Sequence, residues 1–304
     1  MHTILVLGGG GFLAEEISLL YRERGWRVVS VGRSGKAAHA HVHHNWHLPH
    51  PEFGHLLAVE QPQLCVNAAG RASVQASMVD PLADFDGSVN LNLHVLEDIR
   101  RFSLSTVYLH LSSAAVYGNP ESLPIHESMP TRPISAYGWH KRMSEMVLEE
   151  YASLYGLRAA SLRIFSAYGT RLHRQVVWDL ACQASTLDEG PLQLQGREDD
   201  SRDFVHAADV ANAVACVTER GPLAGECYNV ANGIEVPIAE LANLILRLLG
   251  RKQEIVFDGV RRPGNPNRWH ADIGKLRGLG FEPAVPLQRG VAEVIAEVGT
   301  HANR

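Results

Sequence analysis

Three side chains near the middle of the sequence have the types and the spacing of an acid–base site. Tyr137 and Lys141 are four residues apart, and Ser113 precedes them at the end of an apolar run. On a helix, residues four apart lie on the same face, so we expect the ammonium of Lys141 close to the phenol. A nearby positive charge favours the phenolate, and the pKa of Tyr137 is therefore expected to be lowered, with Ser113 as its hydrogen-bond partner. This pattern is typical of hydride-transfer sites, but it also arises by chance in many helices.

The segments around these residues alternate between strands and helices. Short apolar runs predict strands, and longer segments between them predict helices that cross over a sheet. In the first half of the chain the strands are predicted at 3–7, 27–31, 64–68, 106–111 and 158–164, and the helices at 12–24, 81–101 and 136–155. This order predicts an α/β fold with a doubly wound parallel sheet.

After about residue 165 the alternation becomes less regular. Helices are predicted at 174–188, 208–220 and 237–249, with a short strand at 192–194. A segment rich in proline and glycine, 261–266, cannot continue a helix and is expected to reach over a cleft. We therefore predict a first domain at 1–165 and a smaller C-terminal lobe at 166–304, with some segments of the lobe returning to the sheet.

Composition excludes several classes of function. The 304 residues carry a net charge of −5, which disfavours nucleic-acid binding. The sequence contains no apolar run long enough to span a membrane and no leader segment, so a cytoplasmic protein without membrane partners is expected. The four cysteines have no metal-type spacing and are expected to be buried thiols. The histidines at 39–55 are expected to lie in a solvated loop, and no metal is predicted.

A glycine-rich loop follows the first predicted strand. Gly8, Gly11 and Ala14 fit the looser form of the dinucleotide-binding pattern, in which backbone amides and the positive end of the next helix approach a pyrophosphate. Phe12 and Leu13 begin that helix. The alternative is a tight turn between a strand and a helix, with no ligand.

The end of the second predicted strand indicates which dinucleotide is bound. NAD-binding chains usually have a carboxylate there for the adenosine ribose, but this sequence has Arg33 and no acidic residue between Glu23 and Glu52. A guanidinium can pair with a 2′-phosphate. We therefore expect NADP to be favoured over NAD, unless Arg33 is merely a solvated loop residue and either cofactor is accepted.

With these motifs in order, nearly the whole chain resembles the extended short-chain dehydrogenase/reductases, the NAD-dependent epimerase/dehydratase family that acts on nucleotide sugars. The motifs that carry the resemblance are GGGGFL at 8–13, NAAG at 67–70, ASV at 72–74 with DP at 80–81, SSAAVYG at 112–118, YGWHK at 137–141, LRIF at 162–165, RDFVH at 202–206 and RPG at 262–264. The resemblance implies a Rossmann doubly wound sheet with a smaller C-terminal substrate lobe.

The resemblance also implies roles for individual residues. Tyr137 would be the acid or base at a sugar hydroxyl or ketone, Lys141 would hold the nicotinamide ribose, and Ser113 would bind the same sugar oxygen. The cofactor residues implied are Gly8, Gly11, Phe12, Leu13, Arg33, Ala68, Ala69, Gly70, Tyr137 and Lys141. The substrate residues implied are Ser73, Ser166, Arg202 and Arg262, the two arginines gripping the nucleotide. Serine at 166 departs from the asparagine usual in the family, which leaves the nucleotide in doubt.

The residues after Ser113 indicate which of the family's reactions the chain is expected to catalyse. Dehydratases of the family have acidic residues there, whereas this chain has Ala114 and Ala115. An NADPH-dependent 4-keto-sugar reductase is favoured, because selection for a 2′-phosphate suits an enzyme that consumes reduced cofactor. The alternative is a nucleotide-sugar 4-epimerase that retains NAD. A regulator that senses cofactor without turnover is less expected, since Ser113, Tyr137 and Lys141 are all present.

A homodimer is also implied by the resemblance, through the helices predicted at 81–101 and 136–155. Apolar side chains on the second of these helices are compatible with this interface, but they suit packing on the sheet equally well. They are Met143, Met146, Val147 and Leu154.

Overall fold

The computed structural model of the protein describes residues 1–33, 35–261 and 263–302. Its strands, in chain order, are β1 (Thr3–Leu7), β2 (Arg27–Gly32), β3 (Val42–Asn45), β4 (Leu64–Asn67), β5 (Val107–Ser113), β6 (Ala159–Ile164), β7 (Ser166–Tyr168), β8 (Leu192–Leu194), β9 (Ser201–His206), β10 (Ala224–Val230), β11 (Glu235–Pro237) and β12 (Ile255–Phe257).

The helices alternate with the strands in the first half of the chain. They are α1 (Phe12–Glu23), α2 (Phe53–Glu60), α3 (Val74–Val79), α4 (Pro81–Phe85), α5 (Leu91–Phe102), α6 (Ala136–Tyr155), α7 (Gln175–Thr186), α8 (Ala207–Arg220), α9 (Ile238–Leu248), α10 (Gly274–Arg277) and α11 (Leu287–Ala302). A π-helical turn, Asp86–Asn90, joins α4 to α5, and a 3₁₀ turn, Ala114–Val116, follows β5.

Seven strands form one parallel sheet in the order β10-β6-β5-β4-β1-β2-β3. The chain winds outwards from β1 in one direction through β2 and β3, and in the other through β4, β5 and β6. The order therefore reverses between β1 and β4, where ligands bind at the carboxyl ends of the strands in such folds. The predicted α/β Rossmann fold with a smaller C-terminal part is confirmed.

Helices cover both faces of this sheet because its central strands are apolar on both sides. In β1, Ile4 and Val6 pack in the core under α1 and α8, whereas Leu5 and Leu7 pack in the core under α2, α5 and α6. These four side chains are fully buried. A continuous apolar strand of this kind is typical of a parallel sheet that is covered on both faces.

The second half of the chain forms a third core of its own. Helices α7, α9 and α11 pack there against two small sheets, β11-β9-β7 and β12-β8. Strand β10 also belongs to this half of the sequence, but it pairs with β6 at the edge of the large sheet. The division of the chain into domains at residue 165 stays a prediction.

The helix predicted at 81–101 is present as one continuous helical run from α4 to α5, with the π-helical turn Asp86–Asn90 between them. One sequence prediction about elements is wrong. The histidine stretch was expected to be a solvated loop, but it contains β3, the edge strand of the large sheet. There the ring of His43 lies 2.6 Å from Ser30 Oγ, so a partner on β2 satisfies this histidine.

Within the described residues, no helix has both the length and the apolar composition needed to cross a bilayer. The cytoplasmic location stays a prediction. Cys65 is buried, and the other three thiols are half-buried and unpaired with one another.

Candidate active site

The loop after β1 is rich in glycine because it is confined between the ends of two strands. The amides of Gly8 and Gly9 donate to the carbonyl oxygen of Val31 at 2.8 and 3.0 Å. Gly8 has a φ of +85°, and a Cβ at this position would lie 2.8 Å from the carbonyl oxygen of Ala68. Only glycine accommodates both the left-handed backbone and this close approach. A ligand can therefore come close to the loop backbone without meeting side chains.

Helix α1 begins at this loop and points its amino end towards the same edge of the sheet. Its N-cap is Gly11, which is exposed and supplies no side-chain acceptor for the first amides of the helix. Amides in a first helical turn have no acceptor within the helix, and the helix dipole favours an anion there. Gly8, Gly11, Phe12 and Leu13 are thus brought together, and this cradle fits the pyrophosphate of a dinucleotide.

The segment after β4 lies beside the glycine loop. Asn67 holds it in place, since its Oδ1 accepts a hydrogen bond from the amide of Ala69 at 3.0 Å and its Nδ2 donates to the hydroxyl of Tyr108 at 2.8 Å. Gly70 follows with a φ of +127°. The predicted cofactor residues Ala68, Ala69 and Gly70 therefore lie at the reversal point of the sheet, on the other side of β1 from β2.

Arg33 lies just beyond the end of β2 and is exposed. The expected preference for NADP depended on this guanidinium turning towards the adenosine ribose. An exposed position gives that expectation no support.

The three candidate catalytic residues meet at the carboxyl end of β5. Ser113 ends that strand, and its side chain lies near enough to Tyr137, in the first turn of α6, to lower the pKa of the phenol. Ser113 Oγ accepts the amide of Ala115 at 3.2 Å, which leaves its hydroxyl hydrogen for the phenol oxygen. Lys141 is 6% exposed, and its ammonium donates to the carbonyl oxygen of Leu111 at 2.8 Å. The same nitrogen lies 5.9 Å from the centroid of the Tyr137 ring.

The amino end of α6 is fixed by local contacts that place Tyr137. Ser135 caps the helix by accepting the amide of Gly138 at 3.1 Å, and the amide of Tyr137 donates to Ser77 Oγ in α3 at 3.0 Å. Gly138 packs so closely on the 3₁₀ turn that a Cβ would lie 2.5 Å from the carbonyl oxygen of Ala115. A glycine directly after Tyr137 is therefore what lets α6 approach the strand that carries Ser113.

The electrostatic environment of Tyr137 differs from the sequence expectation. Burial raises the pKa of Tyr137, and this effect outweighs that of the nearby Ser113 side chain, which lowers it. The negative charge of Asp84 also raises this pKa, while the positive charge of Arg174 lowers it. The predicted lowering by Lys141 is wrong for the protein alone, because the ammonium is directed at Leu111 rather than at the phenol oxygen.

Lys141 is itself shifted by burial. Loss of hydration lowers the pKa of its ammonium to about 8, although the carboxylates of Asp84 and Glu145 act in the opposite direction. At neutral pH the side chain still carries its charge, at a free-energy cost to the folded state. Groups with perturbed pKa values are concentrated at sites of acid–base chemistry. The buried, charged Lys141 beside Tyr137 is therefore consistent with such a site.

The candidate substrate residues are spread over several elements. Ser73 caps α3, where its Oγ accepts the amide of Ala76 at 3.2 Å. Ser166 begins β7 and is half-buried. Arg262 lies outside the described residues. The structure thus gives Ser73 a role in the helix and leaves its role towards a substrate as a prediction.

Arg202 in β9 is held rigidly. Its guanidinium donates to the carbonyl oxygens of Ser201 and Asn267 at 2.7 and 3.1 Å and lies over the ring of Trp269, with 5.6 Å between Cζ and the ring centroid. Burial lowers its pKa to about 10, against the opposing effect of Asp200. A guanidinium fixed in this way is suited to bind a phosphate, and its part in substrate binding stays a prediction.

Three residues near Tyr137 were missed by the sequence analysis. Asp84 is fully buried in α4, and its Oδ2 lies 2.6 Å from Nδ1 of His140. Arg174 reaches across from the start of α7 and donates to the carbonyl oxygen of Ala72 at 2.8 Å. His140 stands immediately before Lys141, so its place in the motif was a signal, whereas Asp84 and Arg174 are distant in sequence and gave none.

In the described part of the chain, one group of side chains has the spacing of metal ligands, and it does not include the histidines at 39–55. That group is His173, Glu297 and His301, whose potential ligand atoms lie within 4.8 Å of one another. Its atoms already have partners, since the ring of His173 contacts one oxygen of Glu297 at 3.1 Å and the amide of Arg171 donates to the other at 2.9 Å. The expectation of no metal stays a prediction.

Known proteins are similar to this chain over most of its length. Residues 4–231 match the model of the NAD dependent epimerase/dehydratase family. The chain is 29% identical over 307 residues to the UDP-glucose 4-epimerase of Mycolicibacterium smegmatis, covering 96% of each chain. It is 27% identical over 300 residues to a putative UDP-glucose 4-epimerase of Methanocaldococcus jannaschii, covering 96% of this chain and 97% of the relative.

Solved structures resemble the chain over almost its full length. The UDP-glucose 4-epimerase of Thermus thermophilus in complex with NAD superimposes with a TM-score of 0.86 at 27% identity, covering 98% of this chain and 99% of that one. The UDP-glucose 4-epimerase of Thermotoga maritima, solved with UDP-glucose, gives a TM-score of 0.89 at 26% identity, covering 99% and 100%.

Proposed function

The chain belongs to the NAD dependent epimerase/dehydratase family, and within that family we propose that it is a 4-epimerase of a nucleotide sugar that retains NAD. The observation that carries the proposal is the meeting of Ser113, Tyr137 and Lys141 at the end of β5, next to a glycine cradle that fits a dinucleotide. The 4-epimerase was the alternative to the favoured 4-keto-sugar reductase. The relatives named above favour this alternative, and the reductase has no comparable support.

The residues of the glycine loop would hold the cofactor. Amides of the loop and of the first turn of α1 would bind the pyrophosphate, with Ala68, Ala69 and Gly70 beside it. Lys141 would bind the ribose next to the nicotinamide. The bound dinucleotide would supply a hydride acceptor and donor, which no side chain can supply.

Tyr137 would move the proton that accompanies hydride transfer. As the phenolate it takes the proton of the sugar C4 hydroxyl, and as the phenol it gives a proton back to the C4 oxygen once the hydride has returned to the other face. With a sugar bound, Ser113 would donate its one hydroxyl hydrogen to the C4 oxygen instead of the phenol oxygen and so keep the C4 oxygen within reach of Tyr137. Lys141 contributes a fixed positive charge that opposes the cost of a buried phenolate.

The surroundings of Ser113 argue against loss of water as the reaction. Ala114 and Ala115 follow it in the 3₁₀ turn and are buried. A dehydratase needs an additional acid and base beside the sugar, and methyl groups at these two positions supply neither. This leaves oxidation and reduction at C4 as the chemistry that the residues support.

NAD is proposed rather than NADP. Arg33 was the reason to expect a 2′-phosphate, and it is exposed. An epimerase returns its hydride to the substrate, so its cofactor need not exchange with either cellular pool. Retention of NAD is therefore consistent with the proposed reaction.

The test is to purify the protein, denature one sample and identify any released dinucleotide by mass. A second, native sample is incubated with UDP-glucose, UDP-N-acetylglucosamine or UDP-glucuronic acid without added cofactor, and the products are followed by NMR. We expect released NAD and formation of the C4 epimer of one of these sugars. Oxidation of NADPH by a 4-keto sugar, with no epimer from any of the three, would instead identify a reductase.

We also propose a homodimer through α5 and α6. Met143, Met146 and Leu154 on α6 are exposed, as is Leu93 on α5, whereas Val147 packs against the core beneath. These apolar side chains form a surface that a second copy would cover. Light scattering after size-exclusion chromatography should give twice the monomer mass, and Met146→Glu should reduce it to that of the monomer.

A further inference from the structure

Asp84 on α4 and His140 on α6 form a buried polar pair, and α6 also carries Tyr137 and Lys141. The carboxylate is 0% exposed and the histidine 8% exposed. Asp84 Oδ2 lies 2.6 Å from His140 Nδ1, a distance typical of a charge-assisted hydrogen bond. The second carboxylate oxygen, Oδ1, is also buried and has no hydrogen-bond partner among the described residues.

Such an arrangement lowers the stability of the folded protein, because a carboxylate oxygen in the interior without a hydrogen-bond partner has lost its hydration. An apolar pair of the same shape would avoid this cost, so the pair is expected to serve another purpose. The pair is also placed where its charge acts on the site. His140 adjoins Lys141 in sequence, and α4, which carries Asp84, packs against α6.

We propose that Asp84, held in place by His140, is a positioning residue whose buried negative charge acts on the acid–base pair of Tyr137 and Lys141. The inference rests on the proposed function for its meaning in catalysis. The electrostatic effect of Asp84 on Tyr137 and Lys141 does not depend on whether the protein turns over a substrate.

The sign of the field is the same at both residues. A negative charge disfavours the phenolate of Tyr137 and favours the ammonium of Lys141, so it raises both pKa values. The directions found for the two groups agree with this, since Asp84 raises the pKa of each. Asp84 thereby favours the charged form of Lys141 despite its burial, at the cost of making Tyr137 a weaker acid.

Other groups act on only one of the two residues. Glu145 on α6 raises the pKa of Lys141. The charge of Lys141 in turn lowers the pKa of His110 on β5, which favours the neutral form of that ring. Arg174, at the start of α7, lowers the pKa of Tyr137. Helix α3, which also packs on α4 and α6, carries no ionisable side chain, and Asp86 in the π-helical turn is exposed.

The experiment compares wild type with Asp84→Asn, which keeps the shape and can still bond His140 but removes the charge. Two readouts are used. The first is the pH profile of epimerisation, and the second is the ionisation of Tyr137, followed as the tyrosinate absorbance that is lost in Tyr137→Phe. The second readout needs no activity, so it remains available if the proposed reaction is wrong.

One limb of the pH profile is expected to report the ionisation of Tyr137, and the other that of Lys141. We expect both limbs, and the midpoint of the Tyr137 titration, to move to lower pH by on the order of 0.5–1 unit. Removing a negative charge lowers both pKa values, so the two limbs must shift in the same direction. A fall in turnover at every pH with no shift of either readout would mean that Asp84 is only structural, and would overturn the proposal.

Two further variants keep the test decisive. Asp86→Asn removes the same charge from an exposed position in the neighbouring turn and should move neither readout. If Asp84→Asn does not fold, the double change Asp84→Asn with His140→Asn replaces the pair by two neutral amides that can bond each other. It should produce the same shift to lower pH, and an unshifted Tyr137 titration in this folded variant would contradict the inference.

Discussion

The ammonium nitrogen of Lys141 lies 5.9 Å from the centroid of the Tyr137 ring and is directed at the carbonyl oxygen of Leu111. The lysine is therefore positioned by the end of β5 rather than by the phenol. The helical spacing places Tyr137 and Lys141 on the same face of α6, but the hydrogen bond to β5 fixes the position of the lysine ammonium. For this reason the pKa of Tyr137 is governed by burial in the protein alone, and the two residues can be tested separately.

Tyr137→Phe should abolish proton transfer while leaving the fold and the cofactor cradle unchanged. The expected loss of turnover is about a hundred- to ten-thousand-fold, because general acid–base catalysis contributes that much. The measurement is the epimerisation rate together with the amount of dinucleotide that copurifies. A variant that turns over the sugar nucleotide at the wild-type rate would show that Tyr137 is not the acid or base.

Lys141→Met should lose activity and yet stabilise the protein at neutral pH. The ammonium has a pKa of about 8 in the folded protein against 10.5 in its ordinary state, so its charge destabilises the folded state at every pH below 8. The shift corresponds to about 3 kcal/mol, from which about 1 kcal/mol is subtracted for the lost bond to Leu111. Urea unfolding at pH 7 should therefore show a gain of about 2 kcal/mol.

The gain should shrink as the pH rises from 8 towards 10.5, because the folded wild type then sheds the proton that the unfolded chain still binds. Lys275→Met is the matched control. Lys275 also donates to a backbone carbonyl, that of Cys227 at 2.7 Å, but it is exposed. It should show no gain in stability, and a Lys141→Met protein less stable than wild type at pH 7 would contradict this prediction.

Gly138→Ala should displace the amino end of α6. The added Cβ would lie 2.5 Å from the carbonyl oxygen of Ala115, so the helix must move away from β5 and take Tyr137 with it. We expect a destabilisation of about 1–3 kcal/mol and a fall in turnover. Gly87→Ala is the control, since the nearest atom there is 3.9 Å away and its φ is not positive; its activity and thermal midpoint should stay near wild type.

Arg174→Ala should raise the pKa of Tyr137, because the guanidinium lowers it in the wild type. The limb of the pH profile that reports Tyr137 should move to higher pH by less than about one unit, and less again at high salt, since Arg174 is exposed. Arg132→Ala removes an exposed arginine paired with Glu121 and should leave the profile unchanged. A shift of equal size in both variants would point to net charge as the cause.

Local signals account for the elements that sequence predicted well. Helix α6 has the predicted bounds because Ser135 caps its start and Gly156, in the left-handed conformation, ends it. The glycine loop was predicted because its residues are contiguous and follow an apolar strand. The three candidate catalytic residues were found in the same way, since the spacing of Tyr137 and Lys141 follows from the helical repeat.

The features that could not be predicted from the sequence depend on contacts between distant segments of the chain. The histidine stretch contains β3 because its backbone pairs in parallel with β2, a contact between segments that has no local sequence pattern. The direction of the pKa shift at Tyr137 was predicted incorrectly because burial is a property of the packed fold. Asp84 escaped notice for the same reason, since its partner His140 lies on another helix.

In the proposed reaction a hydride leaves C4 of the sugar and returns to it, with Tyr137 moving only the hydroxyl proton. Epimerisation in heavy water, with the product examined by NMR and mass at C4, follows that hydride directly. We expect the epimer with no deuterium at that carbon, because the hydride never exchanges with solvent. Deuterium at C4, or no epimer from any nucleotide sugar tested, would show that the reaction is a different one.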